Sequence, residues 1–115
     1  MAETVRNEFS WGVIEWLAGA EVGNSDELSL ARMSLHPGHA NDLHRHGNCE
    51  ESVYVVSGTI ECMTDGSSVT LATGENTVVA RSATHLLRNV GSEPAELLLS
   101  YSSAEREFSL VDGAA

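Results

Sequence analysis

The sequence predicts an all-β fold, either a small barrel or a sandwich, and three observations carry that expectation. Clusters of Gly, Asn, Asp, Ser and Pro recur about every ten residues. The runs between them are short and rich in Val, Leu, Ile, Thr and Tyr, the residues that fit a pleated, half-buried surface. None of these runs is long enough to carry a helical period, and short strands at such spacing close into sandwiches or barrels.

The elements follow in order. Trp11 to Leu17 fits a strand with two aromatic anchors or a short helix and is taken as a strand, within an N-terminal strand region at about 9–18. After the cluster Gly23-Asn24-Ser25-Asp26, the run Leu28 to Leu35 reads as the next strand. Turns at Pro37-Gly38 and Gly47-Asn48 precede Ser52 to Val56. Ser57-Gly58 separates that run from Thr59 to Thr64, and Asp65-Gly66 then predicts a tight hairpin into Ser68 to Ala72. Thr77 to Arg81, an apolar run opening at His85, and Glu96 to Tyr101 complete the set. Residues 25–103 are expected to form the barrel and residues 104–115 a weakly held tail, with Phe108 and Leu110 packing on a neighbour. No repeat, linker or low-complexity segment interrupts the chain.

Composition narrows the function classes. The 115 residues fit one domain, and 42% hydrophobic with 20% charged residues fits an ordinary globular core. Seventeen acidic against six basic side chains give a net charge of −11. Nucleic acid and anionic membrane surfaces are therefore poor partners, because both demand a basic face. No apolar stretch approaches the roughly 18 residues that would span a bilayer. The first eight residues carry no apolar core of the kind an export signal needs, so the expected location is the cytoplasm. Cys49 and Cys62 then read as small buried hydrophobes with reduced thiols.

The histidines carry the chemistry. His44 and His46 are one residue apart, and on a strand alternate side chains share a face, so both imidazoles point the same way. Glu51 opens a β-rich run, and His85 opens another. Three imidazoles and one carboxylate suit Fe, Mn, Ni, Zn or Cu as a divalent ion, with coordination positions left for substrate or water. Taken singly, each residue is ordinary: a lone His-x-His is more often surface decoration, and Glu50 with Glu51 would form a solvated edge. His36 and His39 flank the Pro37-Gly38 turn and read as surface residues.

The combined spacing resembles the cupin superfamily. The first cupin motif runs Gly, five residues, His, one residue, His, three or four residues, Glu, six residues, Gly. Gly38, His44, His46, Glu51 and Gly58 meet every fixed position. The same count started at Glu50 ends on Ser57, so Glu51 takes the ligand place and Glu50 faces away. The second motif is met at Gly74, His85 and Asn89, whereas Ala80 and Ser82 stand where Pro and Gly are usual. Both departures are turn positions.

This resemblance implies a double-stranded β-helix, or jelly-roll, fold of a single domain, with His44, His46, Glu51 and His85 as metal ligands. It implies a small-molecule substrate and a metal-dependent activity, with a dioxygenase as the leading expectation and no separate protein base. A redox-neutral isomerase, lyase or decarboxylase using the same ion is the alternative, as is a non-catalytic module binding a carbohydrate or carboxylate. Met33, Tyr54, Arg81, Asn89 and Tyr101 lie on strands expected to border the cavity, and core packing or an exposed strand face explains each of them as well. The resemblance and the apolar segment around Trp11, Ile14, Trp16 and Leu17 together predict a homodimer covering that segment.

Overall fold

The computed structural model describes residues 4–112, and these contain eleven strands and no helix. The strands are β1 (Val5–Phe9), β2 (Gly12–Ala18), β3 (Ser29–Leu35), β4 (His44–Arg45), β5 (Glu51–Ser57), β6 (Thr59–Thr64), β7 (Ser67–Ala72), β8 (Asn76–Val79), β9 (His85–Asn89), β10 (Ala95–Tyr101) and β11 (Ser109–Leu110). They form two antiparallel sheets, one ordered β1-β2-β3-β10-β5-β8 and the other β11-β4-β9-β6-β7. This is the all-β jelly roll expected from the sequence.

Period-two alternation builds the core between the sheets. On β10, Ala95, Leu97, Leu99 and Tyr101 are buried. Their partners across the sheet include Leu35, Met33 and Ala31 on β3 and Val55 and Val53 on β5. The facing sheet supplies Ile60 and Cys62 from β6, and Leu87 from β9. Both cysteines are free and buried, as small hydrophobes would be.

Turn chemistry fixes the registers. Asp65 and Gly66 both have positive φ, 47° and 83°, and link Thr64 to its cross-strand partner Ser67. That is the two-residue hairpin which Asp-Gly favours, because its twist matches the strands it joins. Gly12 serves a different need: a Cβ built there would stand 1.8 Å from the Ser34 carbonyl oxygen, so no other residue lets β2 approach β3 so closely.

Three expectations need correction. Strand β1 precedes the one expected at Trp11 to Leu17, pairing with β2 from Val5↔Trp16 to Phe9↔Gly12. Trp11, Ile14 and Trp16 are buried within their own chain, so they are not an exposed patch awaiting a second copy. The tail is anchored: β11 pairs with β4, and Asn48 accepts from the Glu107 N–H at 2.8 Å and donates to the Glu105 carbonyl at 2.8 Å. The sequence signal missed this because two-residue strands and side-chain clamps leave no periodicity.

The two atypical turn positions resolve simply. Strand β8 ends at Val79, earlier than expected, because the Ala83 N–H turns back to the Ala80 carbonyl. Ser82 takes the left-handed conformation at φ 67°, where glycine is usual, and its N–H donates to the His46 carbonyl at 2.9 Å. Holding a non-glycine residue there costs about 1 kcal/mol. Ser82→Gly is therefore expected to stabilise the fold by roughly 0.5–1 kcal/mol, read as a higher midpoint in urea; an unchanged or lower midpoint would show that the turn holds no such strain.

Candidate metal centre

Four side chains meet where the two sheets face each other. His44 on β4 stands directly opposite His85 on β9 in the antiparallel register. His46 lies two residues beyond His44, on the same face. Glu51, the first residue of β5, comes from the other sheet, where its backbone partners are Tyr101 and Val79. One potential ligand atom from each of the four lies within 4.8 Å of the others, and all four residues are buried. Glu50, its neighbour, is exposed, as the register argument requires.

Backbone carbonyls orient the rings. His44 Nδ1 lies 2.6 Å from the Asp42 carbonyl, His46 Nδ1 2.9 Å from the Glu107 carbonyl, and His85 Nδ1 3.0 Å from the Ala83 carbonyl. A carbonyl oxygen only accepts, so each Nδ1 carries the proton and donates. In the neutral ring Nε2 is then a bare acceptor. Yet Nε2 of His46 and of His85 each lie 3.0 Å from Glu51 Oε1, which is also an acceptor when ionised. Acceptors that close, in a buried site, need a positive charge between them. A proton on a histidine supplies one, and a metal ion satisfies all the donors together.

The electrostatics agree. Burial alone would push the Glu51 carboxyl up, but the His46 and His85 contacts outweigh it and bring it down to about 2. Burial also pulls His85 down, and there the Glu51 contact and charge win, leaving it raised. His44, without such a contact, is lowered to about 4 by burial first and by His85 next. The Cys49 and Cys62 thiols are pushed up by burial, which leaves them poor nucleophiles.

A cavity of about 560 Å³ opens onto the cluster. His44, His46 and Glu51 line it, while His85 is fully buried behind them. Much of its wall is apolar: Trp11, Ile14 and Trp16 of the N-terminal segment, and Met33 and Tyr101 of the core strands. Burial first, then the Glu51 charge, pushes the Tyr101 hydroxyl well up, so it stays protonated. Of the five residues expected to border the cavity, Met33 and Tyr101 do so. Tyr54 and Arg81 are exposed, away from its walls. Asn89 is buried as a structural tie, donating to the Leu35 and Glu93 carbonyls and accepting from the Gly91 N–H. His36 and His39 remain at their exposed turn. Arg106 and Phe108, on the segment expected to be a loose tail, were not anticipated as wall residues. The alternation of Ile14 and Trp16 was a legible signal for the N-terminal wall, whereas nothing local marks Arg106.

A two-layer β scaffold with three imidazoles and a carboxylate buried at the inner end of a lined cavity defines a class of jelly rolls with a candidate metal centre. Comparison with known proteins makes the class specific: the family model for the cupin domain matches residues 31–101, and the chain belongs to the cupin family. It is similar to germin-like protein 3-8 of Oryza sativa subsp. japonica, 32% identical over 109 residues, covering 90% of this chain and 48% of that protein. It is 34% identical over 85 residues to germin-like protein subfamily 2 member 2 of Arabidopsis thaliana, covering 70% of this chain and 39% of that one. The chain thus spans half or less of the length of these relatives. Among solved structures, the Lactobacillus farciminis oxalate decarboxylase shares the fold, with a TM-score of 0.85 at 24% identity over 94% of this chain and 33% of its own. An oxalate oxidase gives 0.80 at 26% identity, covering 87% of this chain and 55% of its own.

A pH titration tests the donor set. His44, lowered to about 4, stays neutral from pH 7.5 to 5.5 and offers no proton competition there. His85, raised because the Glu51 contact and charge outweigh burial, takes a proton more readily than a free imidazole as the pH falls, and that proton occupies its Nε2 lone pair. Apparent zinc(II) affinity is expected to fall at least ~10-fold between pH 7.5 and 5.5, measured by competition with a chromogenic chelator. An affinity that does not change with pH would exclude His85 from the coordination.

Proposed function

We propose that this protein is a metal-dependent enzyme acting on a small organic molecule, with a divalent transition metal held by His44, His46, Glu51 and His85, and that it works as a dioxygenase. The acceptor-to-acceptor arrangement of the Nε2 atoms around Glu51 carries this reading, because a bound cation resolves it without rearrangement. Fe, Mn, Ni, Zn and Cu all suit three imidazoles and a carboxylate. When bound, such an ion supplies a Lewis-acidic and, for Fe, Mn or Cu, a redox-active centre with positions open to the cavity.

The chain's own residues do the rest. Trp11, Ile14, Trp16 and Met33 exclude water and take up the apolar part of the substrate. The Tyr101 hydroxyl, kept protonated by burial and the Glu51 charge, is a fixed donor beside the cluster. Likeness to an oxalate oxidase at 26% identity supports oxidative over redox-neutral chemistry. Two free, buried cysteines support a reducing, cytoplasmic setting for the same reading. A homodimer belongs to it too, through the outer face of the larger sheet, where Tyr54 and Val56 of β5 and Val78 of β8 stand exposed.

Two measurements test the proposal. His44→Ala combined with His85→Ala is expected to abolish metal uptake by elemental analysis while keeping the β-sheet circular dichroism spectrum, since the core strands remain; global unfolding would instead assign the ion a structural role. Metal-loaded wild type is expected to consume dioxygen with members of a panel of small enols, diketones and thiols. Turnover that proceeds equally well without dioxygen would replace the dioxygenase by an isomerase, lyase or decarboxylase.

A further inference from the structure

The cavity holds one basic side chain among its described walls, and its surroundings are unusual. All six basic residues of this acidic chain are arginines. Arg6, Arg32 and Arg88 lie within salt-bridge distance of Glu8, Glu96 and Glu61 at the surface. Arg106, like the exposed Arg45 and Arg81, has no carboxylate within salt-bridge distance among the described residues, but unlike them it reaches into the cavity, from the segment before β11. Its guanidinium carbon lies 4.5 Å from the Trp16 ring centroid, 5.3 Å from Tyr101 and 5.4 Å from Phe108. Three aromatic faces hold the planar group by cation–π contact and leave its N–H edge for a ligand.

The position is built. Asn48 clamps the backbone on both sides of Arg106, at Glu105 and Glu107. The Glu107 carbonyl takes the His46 Nδ1 proton, so the segment that carries Arg106 also orients one of the four cluster residues. The Tyr101 ring lies between them, 5.1 Å from the His46 ring. Glu21, Asp42 and Glu105 also line the cavity, but all three are exposed and solvated. They weigh against a ligand carrying several negative charges, while Arg106 favours one.

The geometry points to Arg106 as a carboxylate-binding residue that sets specificity: the substrate is a monocarboxylic acid with an apolar body. Its acid group takes the guanidinium fork, and its body lies on Trp11, Ile14 and Met33. Its reacting part is turned toward His44, His46 and Glu51. A cavity of about 560 Å³ has room for such a molecule and is far larger than a two-carbon diacid needs. The assignment deepens the proposed function and rests on it for the reaction, but not for the binding of the acid.

The test uses phenylacetate and its neutral counterpart phenylacetamide as probes. Trp11 and Trp16 are the chain's two tryptophans and both line the cavity, so their emission reports binding. Zinc-loaded wild type is expected to bind phenylacetate at least ~10-fold more tightly than phenylacetamide, as a charge-assisted fork demands. Arg106→Gln should remove that preference while leaving zinc affinity and phenylacetamide affinity within about twofold, and Arg106→Lys should restore part of it. Zinc uptake with equal affinity for acid and amide, or an acid preference that survives Arg106→Gln, overturns the carboxylate assignment and leaves the metal reading intact. An Arg106-dependent acid preference in protein that takes up no zinc keeps the assignment and sinks the metal reading.

Discussion

The commitment of three Nδ1 protons to backbone carbonyls is the constraint on which the site depends. It fixes which nitrogen of each imidazole is free, and it aims the His46 and His85 free nitrogens at one carboxylate oxygen. Without it the rings could rotate or exchange tautomers, and the buried Glu51 charge would lose its partners, a cost of several kcal/mol. The fold works to supply those carbonyls. One comes from the segment before β4, one from the turn before β9, and one from the chain beyond β10. The Ser82 N–H holds the His46 carbonyl as well, so His46 is tied through both its backbone and its ring.

Rigid placement and local strain are related here. Gly12 permits a backbone approach that seals the N-terminal wall, and Ser82 accepts an unfavourable conformation at a turn that steadies the cluster. The aromatic wall does two things at once: Trp16 and Tyr101 complete the hydrophobic core, and the same rings present their faces to Arg106. Packing and recognition therefore share residues, and a substitution at Trp16 or Tyr101 would disturb both.

Much of the fold and the cluster was legible in the sequence because both depend on periodicity and fixed spacing. Alternation placed His44 and His46 on one face, and the count to Gly58 selected Glu51 over Glu50, whose exposure agrees with it. Asp65-Gly66 announced its hairpin because few turns accept two residues with positive φ. The cavity was far less legible. Its outer wall depends on pairing between segments distant in sequence, such as β11 with β4, and on the Asn48 clamp. Two-residue strands and side-chain-to-backbone bonds carry no pattern that a reading along the chain can detect. Arg81 and Arg106 are equally plain in sequence, and only the tertiary fold turns one outward and the other toward the cavity.

The four cluster residues are divided between the two layers: His44 and His85 stand on β4 and β9 of one sheet, His46 directly follows β4, and Glu51 stands on the sheet that holds β5. An ion seated among them would act as a rivet through the sandwich. Prising the layers apart would then require surrendering the ion, and heat resistance would climb with the logarithm of free metal concentration. The same four side chains would then make the protein's lifetime a readout of metal supply.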